Sequence, residues 1–244
     1  MSSAVDSPPF DRLVKALTST LSLKIVMALT GLAGAGFVLF HMAGNLQVFL
    51  GRDAYNDYAE FMQGLGALKW VARLGLLSIL GLHVATAVVL FQRNQKARPE
   101  RYAGLQQKRT SVAAMYMTEL GLVLLFYIIY HIAHFTMGAV HTTFDGIDYY
   151  ALEQLGEQGA RRDLYSHFIA SFQQPAIALT YIVASIALAA HLGHGATSMF
   201  KTLGLAVGRW RVPFETIGPA FGVLVGLGNI SMPIAVWAGI IGAN

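Results

Sequence analysis

Eight histidines and no cysteine set the chemistry open to this 244-residue chain. Without thiolates there is no disulfide framework, no cysteine-held iron–sulfur cluster and no cysteine nucleophile. Six of the histidines, His41, His83, His131, His134, His191 and His194, fall inside long apolar runs. An ionisable side chain is costly there and marks a functional position. His141 and His167 lie between runs. At about 1.5 Å of rise per residue, His41 and His131 sit about 24 and 28 Å above the inner ends of their helices. His83 and His191 sit about 12 and 14 Å above theirs. The four sort into an outer pair, His41 with His131, and an inner pair, His83 with His191. Each pair joins two helices that run the same way, separated in sequence by one antiparallel helix. Such helices can stand diagonally across a four-helix bundle, with room for a flat macrocycle between two imidazoles. Bis-histidine ligation of a b-type haem is the chemistry that fits. Two such haems at two depths make an electron path across a bilayer. A zinc site would gather tetrahedral ligands at one depth. A proton relay would need acids, and only Glu119 lies in a span. His131–His134 and His191–His194 are both H-x-x-H pairs, and three-residue spacing puts both rings near one face. Spacing alone therefore leaves the choice of ligand open. The glycines near these histidines (Gly34, Gly36 and Gly44; Gly75 and Gly81; Gly193 and Gly195) suit a ring pressed on backbone, or ordinary close helix packing.

The elements that must carry these histidines are membrane spans. Hydrophobic residues make up 55 % of the chain and charged residues 12 %, about half the charged share of a soluble domain, roughly 25 %. That excludes a soluble enzyme, a nucleic-acid binder and a disordered chain. Crossing a bilayer takes about 20 apolar residues in a helix. Five stretches qualify: Ile25–Leu50, Trp70–Phe91, Val112–Met137, Pro175–Phe200 and Phe214–Ile241. The expected fold is all-α, one integral membrane bundle of five transmembrane helices spanning residues 1–244. Met1–Thr20 lacks an apolar core and does not read as a signal peptide; residues 10–20 suit a short amphipathic interfacial helix. The net charge of +4 reports topology rather than nucleic-acid binding. Twelve Lys/Arg flank the runs on one side (Arg12, Lys15, Lys24; Arg93, Lys96, Arg98, Arg101, Lys108, Arg109; Lys201, Arg209, Arg211) and four on the other (Arg52, Lys69, Arg161, Arg162). The positive-inside rule then puts the N-terminus in the cytoplasm and the C-terminus outside. The longest connection, Gly138–Gln174, is expected to form an outer cap with a short helix at Tyr149–Gln158.

Several motifs carry a resemblance. The run Lys24–Gly31 followed by Phe40-His41-Met-Ala-Gly-Asn45 resembles the opening helix of the succinate dehydrogenase/fumarate reductase cytochrome b subunit, in its single-chain, di-haem, five-helix branch. Tyr130-His131-Ile-Ala-His134-Phe-Thr136 resembles that family's third-helix motif, and His191-Leu-Gly-His194-Gly195 its fourth. Ala54–Met62 resembles the polar segment after the first helix. The resemblance covers most of the chain and is weakest in the third connection and the last helix. It implies that the first histidine of the third-helix motif, His131, is a ligand. It also implies His191, which is followed by glycine four positions on. It further implies two haem b groups, menaquinone as acceptor, and docking on the cytoplasmic face of a flavoprotein subunit with FAD and an iron–sulfur subunit. The dicarboxylate chemistry would then lie on a partner, and the chain would be a multi-pass protein of the bacterial cytoplasmic membrane. Some fumarate reductases of this branch carry a Glu two residues before the fourth-helix ligand; here that position is Ala189.

Other residues fit supporting roles. Lys201, ten residues after His191, fits either an inner-haem propionate or a cytoplasmic anchor. Arg73 fits an outer-haem propionate. Glu60 fits a proton donor or acceptor for quinone, or a solvated loop carboxylate. Ser78, Thr86, Gln47 and Asn45 are expected partners for the ligands' free N–H groups. Two rival readings stand beside this one. One is the di-haem anchor of another quinone-linked dehydrogenase. The other is a haem-free transporter using intramembrane histidines.

Overall fold

The computed structural model describes residues 8–97, 111–156 and 159–242. Arg98, Arg101, Lys108 and Arg109, counted above in the charge balance, lie outside the described residues. Five helical segments of 20 to 31 residues are long and apolar enough to cross a membrane. The architecture is an all-α membrane bundle with two small hairpins. Lipid offers no partners for backbone N–H and C=O groups, so each span satisfies its own backbone as a helix. Their outward faces are lined by exposed Leu29, Leu77, Phe126, Ile186 and Leu227.

Helix α1 (Pro9–Leu17) is short and amphipathic and exposes Phe10, Leu13 and Leu17. Ser19 caps α2 (Thr20–Asn45), its hydroxyl accepting from Ser22 N at 3.1 Å. A 3₁₀ turn, Leu46–Leu50, extends the first span. The chain reverses at Gly51, whose φ of 100° suits only glycine. It continues as α3 (Arg52–Gly64), which carries the polar segment. Helix α4 (Ala67–Lys96) returns the chain to the opposite end.

The third span differs from expectation. A single turn, α5 (Val112–Met115), breaks at Tyr116 before α6 (Met117–His131) begins. It then closes as a π segment, Ile132–Thr136. The cap also differs. In place of a helix at Tyr149–Gln158, the described residues form two antiparallel hairpins, β1 (Thr143–Phe144) with β2 (Ile147–Asp148), and β3 (Glu153–Gly156) with β4 (Gly159–Arg162). Glycines at 146 and 159 take positive φ, which turns the chain where a helix would run on. The helix of this connection is instead α7 (Leu164–Gln173), started by Asp163, whose carboxylate accepts from Ser166 N at 3.1 Å. Helix α8 (Pro175–Thr202) opens on proline. A 3₁₀ turn (Gly208–Trp210) leads into α9 (Arg211–Trp237), which ends four residues before the expected limit.

Two regions are packed tightly. At the cap end, Val48, Phe168, Phe172, Ile177, Tyr181, Met232 and Val236 form an apolar core. Along the bundle, α8 and α9 meet backbone to backbone at Gly218 and Gly222, and Gly226 lies against the Ala189 β-carbon. A β-carbon at Gly222 would lie 2.9 Å from the Gly193 nitrogen, and one at Gly218 would lie 2.6 Å from the Gly193 carbonyl oxygen. Small residues at four-residue spacing are the usual means of close helix approach in lipid, where no hydrophobic force draws helices together.

Candidate functional site

The four-helix part formed by α2, α4, α6 and α8 brings the histidines together in two pairs. Near the cap, His41 on α2 faces His131 on α6, with ring centres 5.7 Å apart and planes nearly perpendicular. Nearer the other end, His83 on α4 faces His191 on α8 at 6.5 Å. The two levels are tied to α2 at His41 and, through a hydrogen bond from His83, at Thr30, eleven residues earlier. They are therefore about 16 Å apart along the helix. Among the described residues no hydrogen bond joins the two rings of either pair.

The proton bookkeeping at His83 is determined by backbone. Thr30 has one hydroxyl proton. Its oxygen lies 2.8 Å from Val26 O and 3.1 Å from Met27 O, both of which can only accept. The proton goes to those carbonyls, so Thr30 Oγ1 accepts from His83 Nδ1–H at 3.1 Å. His83 then keeps a lone pair on Nε2. At His41, the Asn45 amide donates to the His41 carbonyl at 2.8 Å and lies 3.3 Å from Nε2. That nitrogen again carries the lone pair. Asn45 is itself oriented by the Tyr55 hydroxyl, which donates to its Oδ1 at 3.1 Å. His191 Nδ1 is buried with no partner.

These arrangements suit a metal that supplies most of its own ligands. Two metal–nitrogen bonds of about 2 Å each, plus about 1 Å from nitrogen to ring centre on either side, separate two ring centres by about 6 Å. The observed 5.7 and 6.5 Å bracket that span. No group of three or more His, Asp or Glu gathers around a single point among the described residues. Each level thus offers two imidazoles and no third protein donor. A porphyrin iron, with four equatorial nitrogens of its own, needs two axial donors and no more. Space is consistent with this. Gly34 shares the His41 face of α2, four residues from Thr30 and seven from His41, and a β-carbon there would meet nothing within 4 Å. Gly31 and Gly121 lie directly against His83 and His191, where a β-carbon would come within 3.3 and 3.6 Å of the rings.

The other members of the two H-x-x-H pairs are occupied elsewhere. His134 is fully buried, with Nδ1 2.9 Å from the Tyr181 hydroxyl and Nε2 3.1 Å from Ser171 Oγ. His194 Nε2 lies 3.0 Å from Ser198 Oγ. In the cap, the buried His167 donates through Nε2 to the His141 carbonyl at 3.2 Å, and burial holds its pKa below the usual imidazole value.

The supporting residues are only partly where sequence placed them. Lys201 pairs with Glu215 at 2.9 Å, and Arg211 reaches the same carboxylate at 3.3 Å. Arg73 lies over the Trp70 ring, 5.1 Å from its centre. Thr86 and Ser78 return their hydroxyl protons to carbonyls of their own helix. Glu60 accepts from Arg161 at 3.3 Å, beside Asp53 and Asp57, which reach the same guanidinium. Arg52 pairs with Asp163, and Asn56 donates to both Asp163 (2.9 Å) and Gln154 (2.6 Å). Burial opposes ionisation of Asp163, but hydrogen bonds from Arg52, Ser166 and Asn56 outweigh it and bring its pKa down to about 2. The cap is thus tied to α3 by ions and amides. Sequence reasoning missed Thr30, Tyr181 and Ser171. Thr30 had a usable signal, its eleven-residue spacing from His41 on one helix face.

Compared with family models, curated proteins and solved structures, the chain matches none of them.

Proposed function

We propose that this chain is a di-haem cytochrome b, the membrane anchor of a succinate:quinone oxidoreductase. In this reading His41 and His131 hold one haem b, and His83 and His191 hold the other. The observation that carries it is the presence of two imidazole pairs at two levels of one bundle, each spaced for a six-coordinate iron. Held by two imidazoles at each level, such a group would supply one-electron transfer and would not be open to oxygen.

The chain's own residues perform the rest. Thr30 holds the His83 ring through Nδ1, Asn45 and the stacked Phe37 ring hold His41, and the closed α8–α9 seam shuts the bundle on one side. The basic N-terminal face, oriented to the cytoplasm, is where a flavoprotein subunit and an iron–sulfur subunit would dock, so that electrons pass between that side and menaquinone near the cap. The dicarboxylate reaction belongs to those partners, and the setting is a bacterial cytoplasmic membrane. Because Lys201 is already held by Glu215, a propionate there would share it with that carboxylate.

The test is purification from the membrane with haem extraction and identification of co-purifying subunits. Two b haems per chain, together with flavin- and iron–sulfur-containing partners, are expected. Partners containing nickel or molybdenum would move the chain to another quinone-linked dehydrogenase. Absence of a reduced b-type band would leave the haem-free transporter as the better reading.

A further inference from the structure

We infer that Ser171, His134 and Tyr181 form a tautomer relay that fixes the proton of His131 on Nδ1 and leaves Nε2 as the donor atom at the cap-side level. The inference deepens the haem reading and rests on it for its redox consequence, but not for the relay itself.

The relay starts from one backbone carbonyl. Ser171 Oγ lies 2.7 Å from His167 O, which can only accept, so the single hydroxyl proton of Ser171 is used there. Ser171 Oγ then has only lone pairs for His134 Nε2 at 3.1 Å, and that nitrogen must be the N–H donor. A neutral imidazole carries one N–H, so His134 Nδ1 is an acceptor. The Tyr181 hydroxyl at 2.9 Å donates to it. Having given its proton away, the Tyr181 oxygen offers a lone pair to the third contact in the line, His131 Nδ1 at 3.4 Å. That contact can only be N–H donation from His131. The bond lengths follow the order of the argument: the hydroxyl protons sit in the shorter contacts, 2.7 and 2.9 Å, and the hydroxyl oxygens accept in the longer ones, 3.1 and 3.4 Å.

Burial makes the chain strict. His134 and Ser171 are fully buried and Tyr181 nearly so; no water is needed to complete any of these groups, and an unmatched one would carry a full desolvation penalty. His134, the residue that competes with His131 in the H-x-x-H motif, is therefore a positioning residue for it. A ligand imidazole whose second nitrogen donates a hydrogen bond is oriented and made more basic. The same device appears in shorter form at the other level, where one hydroxyl, Thr30, does for His83 what three residues do here.

The experiment uses the full chain in detergent and three variants of the relay, with His131→Gln as an assignment control. Tyr181→Phe keeps the ring in the core and deletes only the relay's oxygen. Ser171→Ala deletes the anchoring acceptor, and Ser171→Thr restores a hydroxyl. Histidine nitrogen NMR on the chain before haemin is added reads the tautomer, with the His131 signals assigned by their loss in His131→Gln. A single Nδ1–H form is expected in the unaltered chain and in Ser171→Thr, and a mixture of tautomers in Tyr181→Phe. After haemin loading, redox titration should show one of two haem potentials raised in Tyr181→Phe, and by less in Ser171→Ala, with the other potential unmoved. If Tyr181→Phe does not accumulate, Ser171→Ala decides alone. Unchanged tautomers in both variants, or two haems with both potentials unmoved, overturn the relay. A chain that takes up no haemin but shows the tautomer change overturns the haem reading and leaves the relay standing.

Discussion

The seam between α8 and α9 and the interior shared by α2, α4, α6 and α8 are built from similar residues and packed in opposite ways. In the most apolar stretch of α8 and of α9, 39 % of residues are buried, against 11 % in the first, second and third spans. At the seam, glycine admits backbone: nothing larger fits at Gly218 or Gly222 without moving the neighbouring chain. In the interior, glycine leaves room that no side chain takes up, as at Gly34. Helices in lipid gain little by merely approaching one another, so a loosely filled interior needs something else to hold it. The histidine pairs stand in that gap, polar groups facing one another in an apolar setting, and under the proposed reading the haems between them would do the holding.

The largest effect expected from this contrast is at the seam. Gly222→Leu forces four extra carbons into the Ala189 and Gly193 backbone. Overpacking of that kind costs about 1–3 kcal/mol where atoms can shift, and more against backbone. The variant should fail to accumulate, or lose at least 10 °C in the melting temperature of the haem-loaded chain. Equal stability would mean that α9 is not held as described. Next in size, His83→Ala should remove one haem of two and leave the cap-side one, read by extraction and by the loss of one redox component. Retention of both would break the pairing. Gly34→Leu sharpens the comparison, since its β-carbon meets nothing within 4 Å and the rest of the side chain would extend into the space on the His41 face of α2. Its expected result is the reverse of Gly222→Leu: normal accumulation in the membrane with haem content lowered by half or more.

How much of this was legible beforehand follows the same division. The five spans and the pairing of His41 with His131 and His83 with His191 come from hydropathy and helix rise, which are local quantities. The break at Tyr116 and the π segment after His131 are not, because no proline or glycine there announces them. At the cap, the helix expected at Tyr149–Gln158 lies 15 residues further on, at Leu164–Gln173. The turn glycines 146 and 159 were the contrary signal, and Asp163-x-x-Ser166 was the start signal of the helix that does form. Glu60 reads as a free carboxylate until Arg161, a hundred residues on, is seen against it. Thr86 and Ser78, hydroxyls on the same helix as His83, bond to carbonyls of that helix. The hydroxyls that reach a ligand ring, Thr30 and Tyr181, are across the bundle. Thr30 carried a signal in its eleven-residue spacing from His41, but the approach of Tyr181 to His131 is a tertiary contact to which local sequence has no access.

The smallest expected effect belongs to the cap, where ions replace packing. Asp163→Asn removes the charge that Arg52 faces while keeping the shape. Because Arg52 is half exposed to water, the loss should be modest, about 1–2 kcal/mol. The pH dependence has a definite sign. The folded-state pKa of Asp163 is about 2, below its ordinary 3.8. Its contribution is therefore complete above about pH 5 and is lost as pH falls through the interval between those two values. Limited proteolysis of residues 138–174 in membranes should accelerate over that interval in the unaltered chain. Asp163→Asn should cleave faster already at neutral pH and show a shallower acid dependence. The histidine-pair signals are expected to stay intact in this variant, since among the described residues no bond of the cap's ionic network reaches His41, His83, His131 or His191. A loss of haem in Asp163→Asn would show instead that the cap and the interior are one cooperative unit.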